Sequence, residues 1–282
     1  MNDGFEMIAR EPGVELAVKR SGSGPAVLLI GGLGMPSLVW DICGLAEALI
    51  AEGFSVISYN ARGMAPSSAP AAPYSIAGLA EDATAILDHF EVADAIVVAY
   101  SMGCYIAQTL LRESPERVRA TVLFAGLQPT PFNSIVGEME LGLIEKYGEV
   151  PHEVLVFEQL VTTLHPAMLQ DPVMVQNWRD LLAAGSGGWA GPEGFKGQLA
   201  ASQEWLGAGE PMPERLAEIA VPTLVLAFEH DLFFPPAQSE ATARLIPQAE
   251  FAQIDGVGHG GLFTGPGDSV ARIAKFCVEQ GK

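Results

Sequence analysis

The sequence predicts an α/β fold: a mostly parallel twisted sheet with helices on both faces and an inserted helical cap. Three observations carry this reading. Short apolar runs such as AVLLI (26–30) and AIVVAY (95–100) lack the alternation of half-exposed strands, so they read as strands covered on both sides. Segments of helical periodicity stand between those runs, as parallel crossover connections require. From residue 129 to 213 the alternation stops and helical segments follow one another, after which strand and helix resume.

Taken in order, GVELAVKR (13–20) alternates apolar and polar residues like an edge strand, and SGSGP turns the chain into AVLLI. VWDICGLAEALIAEG (39–53) has helical periodicity and stops at a glycine, and FSVISY (54–59) is a strand. YSIAGLAEDATAILDHFEV (74–92) is a helix with Ile76, Leu79, Ala83, Ile86 and Leu87 on one face. AIVVAY is a strand, the next segment a helix to about Ser114, and VRATVLFAG (118–126) a strand. The helical pieces of the insertion are EMELGLIEKYG, EVLVFEQLVTTLH, DPVMVQNWRDLLAAG and GFKGQLAASQEWL. The rhythm returns with VPTLVLAFEHD (221–231), AEFAQID (249–255) and a closing helix, GDSVARIAKFCVE (267–279). The expected organisation is therefore a core of residues 1–128 and 214–282 with a cap of residues 129–213. AAGSGGWAGPEG (183–194), rich in glycine, is expected to act as a lid hinge or mobile loop.

The chain's 282 residues suit one large α/β domain or a core plus an insertion, and 49% apolar residues can fill a sizeable core. A net charge of −19 argues against nucleic acid and against anionic membrane surfaces as partners. Cys43, Cys104 and Cys277 are far apart in apolar contexts, which reads as buried free thiols in a reducing compartment. The start carries acidic residues and no apolar leader, and the expected location is cytoplasmic. Ala95–Leu111 is uncharged over 17 residues but polar in places, so it reads as a buried strand turning into a buried helix, not a span. The histidines and cysteines lack metal-ligand spacing, and no phosphate-binding glycine motif is present, so neither metal nor cofactor is expected. The chain is expected to be a monomer or homodimer.

Within AYSMG, Ser101 stands where the strand gives way to the helix, flanked two residues away by Ala99 and Gly103. Small residues at those positions permit a sharp strand–turn–helix that lifts a hydroxyl above the sheet and turns the Met102 amide outward. A serine needs a base, and His259 in the glycine-dense loop DGVGHGGL is placed to supply it. His89, His152 and His165 read as surface or structural residues, and His230 as a neighbour that shapes the acid loop. The imidazole needs an orienting carboxylate, and Asp231 leaves the end of a buried strand in D-x-x-x-P, with Glu229 and Asp255 as fallbacks. The glycine-rich turn IGGLG supplies a second amide, that of Leu33, so Leu33 and Met102 are the candidate oxyanion donors.

With these residues in hand the chain resembles the α/β-hydrolase superfamily along nearly its full length. The order Ser101, Asp231, His259 is that superfamily's nucleophile–acid–base order, and GGLGMPSLVW is similar to its H-G-x(7)-W oxyanion stretch, with Trp40 at the matching distance. YNARGMAPSS is similar to its Y-D-x-R-G-x-G-x-S segment. VPTLVLAFEHDLFFP and IPQAEFAQIDGVGHG look like its acid strand and histidine loop. Three positions depart: Gly31 stands for the usual histidine, Asn60 for the usual aspartate, and Ala65 for a usual glycine. The resemblance is to the capped serine esterase and cofactor-free haloperoxidase-like branch. Dehalogenases and epoxide hydrolases of this fold use aspartate where this chain has Ser101, so the resemblance implies acyl chemistry on an apolar ester, lactone or thioester. Cap aromatics are expected to face the cleft, and Gly32, Trp178, Trp189 and Phe233 are the candidate substrate contacts. Two other readings stand beside hydrolysis: cofactor-free perhydrolysis, acyl transfer or lyase chemistry, and a ligand receptor with little turnover.

Overall fold

The computed structural model describes residues 4–185 and 188–281. The buried runs form the centre of one eight-stranded sheet: β1 (Glu6–Glu11), β2 (Val14–Gly22), β3 (Ala26–Ile30), β4 (Ser55–Asn60), β5 (Ala95–Tyr100), β6 (Val118–Phe124), β7 (Thr223–Phe228) and β8 (Ala249–Ile254). Their order is β1-β2-β4-β3-β5-β6-β7-β8, with β2 antiparallel to both β1 and β4 and the pairings from β4 to β8 parallel. Every residue of β3, β4, β5 and β7 is buried because helices cover both faces, and β3, β5 and β7 read as apolar runs, whereas β4 also buries Ser55, Ser58 and Asn60.

Strand alternation divides the core into two layers. Leu28, Ile30, Val97, Ala99, Leu123 and Val225 face α3 (Ile76–His89) and α4 (Gly103–Glu113). Val27, Leu29, Ile96, Val98, Val122 and Leu224 face α2 (Leu45–Ala51) and α12 (Pro266–Gln280). The sequence reads residues 39–53 as one helix; the chain instead makes α1 (Val39–Ile42) and α2, because Gly44 sits at φ 79° and breaks the ladder. The edge strand β1 has no counterpart among the elements read from sequence.

Between β6 and β7 come α5 (Pro131–Tyr147), α6 (His152–Thr163), α7 (Pro172–Gly185), α8 (Pro192–Gly207) and α9 (Pro213–Ala217). Helix α5 starts seven residues before EMELGLIEKYG, opened by Pro131 at its first position. Helix α8 reaches into the core, where Trp205 stacks on Tyr105 with centroids 4.1 Å apart. After β7 come α10 (Pro236–Ala243) and α11 (Gly261–Thr264). The predicted hinge at 183–194 includes residues 186 and 187, which lie outside the described residues. Among the described residues no helix is long and apolar enough to cross a membrane.

Candidate active site

Strand β5 ends at Tyr100 and α4 begins at Gly103, so Ser101 stands in the turn between them, at φ 54°. That left-handed backbone is costly for a residue with a side chain and lasts only where the surroundings impose it. Here they do. A Cβ at Gly103 would lie 2.5 Å from the Ile30 carbonyl oxygen, and one at Gly126 would run into the Ser101 carbonyl. The Ser101 amide donates to the Phe124 carbonyl at 3.1 Å, tying the turn to β6.

The Ser101 Oγ lies 3.1 Å from Nε2 of His259, whose Nδ1 lies 2.8 Å from Oδ2 of Asp231. Asp231 leaves β7 and His259 leaves β8, so both arrive at the carboxyl edge of the sheet, where Ser101 leaves β5. The Asp231 side chain is fully buried, and its Oδ1 accepts from the amides of Phe233 at 2.8 Å and Phe234 at 3.0 Å. Three bonds thus satisfy the buried carboxylate and fix its orientation toward the ring. The imidazole stacks on Tyr100 and Phe234 at 5.5 and 5.6 Å and meets Phe233 edge-on at 5.2 Å.

The fallback acids turn elsewhere. Glu229 accepts from the Gly256 amide at 2.8 Å, and Asp255 from the Gln253 side chain at 2.6 Å. The other histidines also stand apart from Ser101. His89 is on the surface beside Glu6, His165 meets His230 edge-on at 4.1 Å, and His152 is exposed.

Gly32 sits against Ser101: a Cβ there would be 2.9 Å from Cβ of that serine. Among the described residues neither the Leu33 nor the Met102 amide donates to a protein acceptor, whereas the next amide, that of Gly34, donates to Oε1 of Gln198 at 3.0 Å. Gln198 also donates to the Arg62 carbonyl at 2.9 Å and is fully buried. The departures in this region have local explanations. Asn60 accepts from the Ser37 amide at 2.7 Å and donates to the Ala65 carbonyl at 2.5 Å, a pairing that an aspartate could not complete. At Gly31 a Cβ would lie 3.3 Å from the Met35 carbonyl oxygen, so the turn is close there. Arg62 is held by Asp82 at 2.7 and 2.5 Å, which removes it as a clamp for a substrate anion.

Of the predicted contact residues, Phe233 is beside the imidazole and stacks on Phe132 at 5.5 Å. Trp189 lies over Gly34, where a Cβ would meet the indole at 2.7 Å, and pairs with Phe195 at 5.2 Å. Trp178 meets Phe263 edge-on at 6.0 Å.

Four residues that the sequence reading passed over also belong to this region. The Tyr100 hydroxyl donates to the His259 carbonyl at 2.5 Å. Gln198 pins the glycine turn. Glu140 of α5 and Glu158 of α6 are acids in the inserted helices. Burial, then the neighbouring Glu158 charge, push Glu140 up to about 8; burial also raises Glu158, against the pull of Thr162 and His259. Only the step back to Ser101 and the stripe Glu158–Thr162 mark any of these in the sequence.

Comparison with known proteins agrees with this architecture. The family model described as alpha/beta hydrolase fold matches residues 25–266. The chain is 26% identical over 269 residues to the protein named "Putative non-heme bromoperoxidase BpoC" of Mycobacterium tuberculosis H37Rv, covering 93% of this chain and 97% of that one. The crystal structure of BpoC superposes with a TM-score of 0.84 at 25% identity, covering 95% and 97% of the two chains. Rhodomycin D methylesterase DnrP of Streptomyces peucetius is 29% identical over 259 residues, 83% of this chain and 84% of that one. A nearly full-length family match and a sheet that carries its loops at the same carboxyl edge lead to one conclusion: the chain belongs to the α/β-hydrolase family of enzymes.

Proposed function

We propose that the chain is a serine hydrolase that cleaves a carboxylic ester, lactone or thioester through an acyl-enzyme on Ser101. The observation that carries this is the continuous hydrogen-bonded line from Ser101 through His259 to the buried Asp231. With Nδ1 bonded to the carboxylate, the Nε2 lone pair faces the hydroxyl and can take its proton as Oγ attacks the acyl carbon. The imidazolium then protonates the leaving group, and water deacylates the enzyme by the reverse use of the same ring. The developing oxyanion is received by the amides of Leu33 and Met102, the latter at the start of α4, where the helix dipole favours negative charge.

Residues 129–213 act in this reading as a cap over the cleft. Its wall includes Phe132 and Phe233 beside the imidazole, and Trp189 on the glycine turn, which suits an acyl group with substantial apolar surface. The similarity to a methylesterase and to 3-oxoadipate enol-lactonase 2 of Acinetobacter baylyi, 28% identical over 208 residues, supports ester and lactone bonds as the class cleaved.

Fluorophosphonate labelling followed by peptide mapping tests the assignment, together with a chain-length series of p-nitrophenyl esters. The expected result is one adduct on Ser101 and turnover that disappears in Ser101→Ala. Turnover that survives that substitution would reject Ser101 as the nucleophile.

A further inference from the structure

Ser101 stands near the middle of the sheet, and its neighbours reach it from opposite sides. The glycine turn follows β3, which borders β5 on one side, whereas Asp231 and His259 follow β7 and β8, beyond β6 on the other. An acyl carbon bonded to Oγ has its oxyanion drawn toward the turn, while the leaving-group oxygen must come within hydrogen-bond reach of Nε2, which protonates it. The leaving group therefore extends past the imidazole on the β7 side, and the acyl group is left with the β3 side.

The two sides are built differently. Phe233 meets the imidazole edge-on at 5.2 Å, and Phe132 of α5 stacks on Phe233 at 5.5 Å. The start of α5 is fastened there: the Thr130 amide donates to the Phe233 carbonyl at 2.9 Å, and the Thr130 hydroxyl to the Leu232 carbonyl at 3.2 Å. Phe132 is 37% exposed and Leu232 45%, so this shelf of stacked rings runs from the imidazole out to solvent. On the other side a strap is tied down. Trp189 forms an antiparallel bridge with the buried Met64, flanked by bonds from the Ala65 amide to the Gly188 carbonyl and from the Ala190 amide to the Gly63 carbonyl, each 2.8 Å. Its indole lies on Gly34, the residue after the proposed donor Leu33, so closely that a Cβ there would be 2.7 Å from the ring. Phe195 backs the indole at 5.2 Å. A ring packed at these points makes a firm wall beside the turn.

We propose that the substrate spans both sides: an apolar, ring-bearing alcohol or enol, the leaving group, lies on the Phe233–Phe132 shelf, and an acyl chain whose length Trp189 limits lies against the indole. This deepens the acyl-enzyme reading and rests on it for which half of the ester departs past His259. Phe132 and Trp189 are then specificity-determining residues for opposite halves of one substrate. A ring on the shelf gains from aromatic contact beyond its buried area. An acyl chain gains affinity with each methylene it buries until it meets the indole, and then pays for overpacking.

The test measures equilibrium binding to Ser101→Ala protein along two ester series: phenyl esters from acetate to decanoate, which vary the acyl chain, and ethyl and benzyl butanoate, which vary the leaving group. Phe132→Ala is expected to lower the preference for benzyl over ethyl butanoate about fivefold and to leave the acyl series as it was. Trp189→Ala is expected to raise the affinity for phenyl decanoate relative to phenyl butanoate about tenfold and to leave the benzyl preference as it was. Each ratio must follow its own residue: a ratio that its own substitution leaves unchanged, or one that the other substitution moves, overturns the proposal. A uniform change along both series, the mark of a merely structural role, overturns it too. Thermal melting shows that each variant folds. Trp189→Phe keeps a ring on Gly34 and is expected to relieve the long-chain penalty in the same direction, about threefold, so it decides the acyl side if Trp189→Ala does not fold. Fluorophosphonate labelling of the protein with Ser101 intact reports separately on the acyl-enzyme reading, so a missing label rejects that reading while the binding ratios still judge the two walls.

Discussion

Ser101 combines two demands that separate experimentally. Its hydroxyl is proposed to do the chemistry, while its backbone at φ 54° is what points the hydroxyl out of the sheet. Ser101→Ala and Ser101→Gly are both expected to reduce ester turnover by about four to six orders of magnitude. They should differ in stability. Glycine adopts the left-handed region freely, so Ser101→Gly should be the more stable of the two by about 1 kcal/mol in chemical denaturation. An alanine variant as stable as the glycine variant would mean that the turn stores no strain. Its neighbour Tyr100 is a positioning residue. The Tyr100 hydroxyl holds the His259 backbone while its ring stacks on the imidazole. Tyr100→Phe keeps the stack and frees the carbonyl, so kcat is expected to fall about tenfold with KM nearly unchanged, and stability by about 1–2 kcal/mol. A change in stability alone, with kcat retained, would assign Tyr100 a purely structural role.

At the scale of elements, α8 joins the insertion to the glycine turn that carries the proposed oxyanion donor Leu33. Gln198 of α8 is fully buried and spans the Gly34 amide and the Arg62 carbonyl. Gln198→Ala orphans both groups and releases the turn that carries Leu33. The expected result is a loss of about 1–3 kcal/mol in stability and a fall in kcat of tenfold or more, read from denaturation and from p-nitrophenyl ester kinetics. An unchanged kcat at reduced stability would show that the turn holds its shape without α8. The strands proved legible for a related reason. β3, β5 and β7 are buried on both faces, so their side chains announce them as continuous apolar runs. Strand β1 is an edge strand with mostly exposed side chains, paired on one side with β2, and its sequence EMIARE carries no such run. The break between α1 and α2 was hidden for another reason: periodicity continues through Gly44 while the backbone does not.

For the whole molecule, the position of Ser101, Asp231 and His259 at strand ends was readable because topology forces those ends together, whatever the loops do. The insertion obeys no comparable constraint. Its apolar residues mark helices correctly, yet on α5 the buried positions are Gly137 and Glu140 while Phe132, Ile135 and Met139 are exposed, so periodicity alone does not mark Glu140 as buried. The burial of Glu140 has a thermodynamic signature. Glu140 has an ordinary value of 4.5 and is held up to about 8 in the fold, chiefly by burial. Between those values the folded protein binds more protons than the unfolded chain, so stability must fall as pH rises through the interval. For a single group the slope is at most about 1.4 kcal/mol per pH unit, and Glu158, also raised, adds in the same direction. Below the interval both states are protonated and above it both are ionised, so the effect is confined to that window. Glu140→Gln removes the group and relieves Glu158 of its neighbour. Urea denaturation from about pH 5 to about pH 8 should therefore show a steeper decline for the wild type than for Glu140→Gln, with the variant gaining most at the alkaline end. Parallel curves would mean that Glu140 ionises in the fold as it does in water, its carboxyl open to solvent.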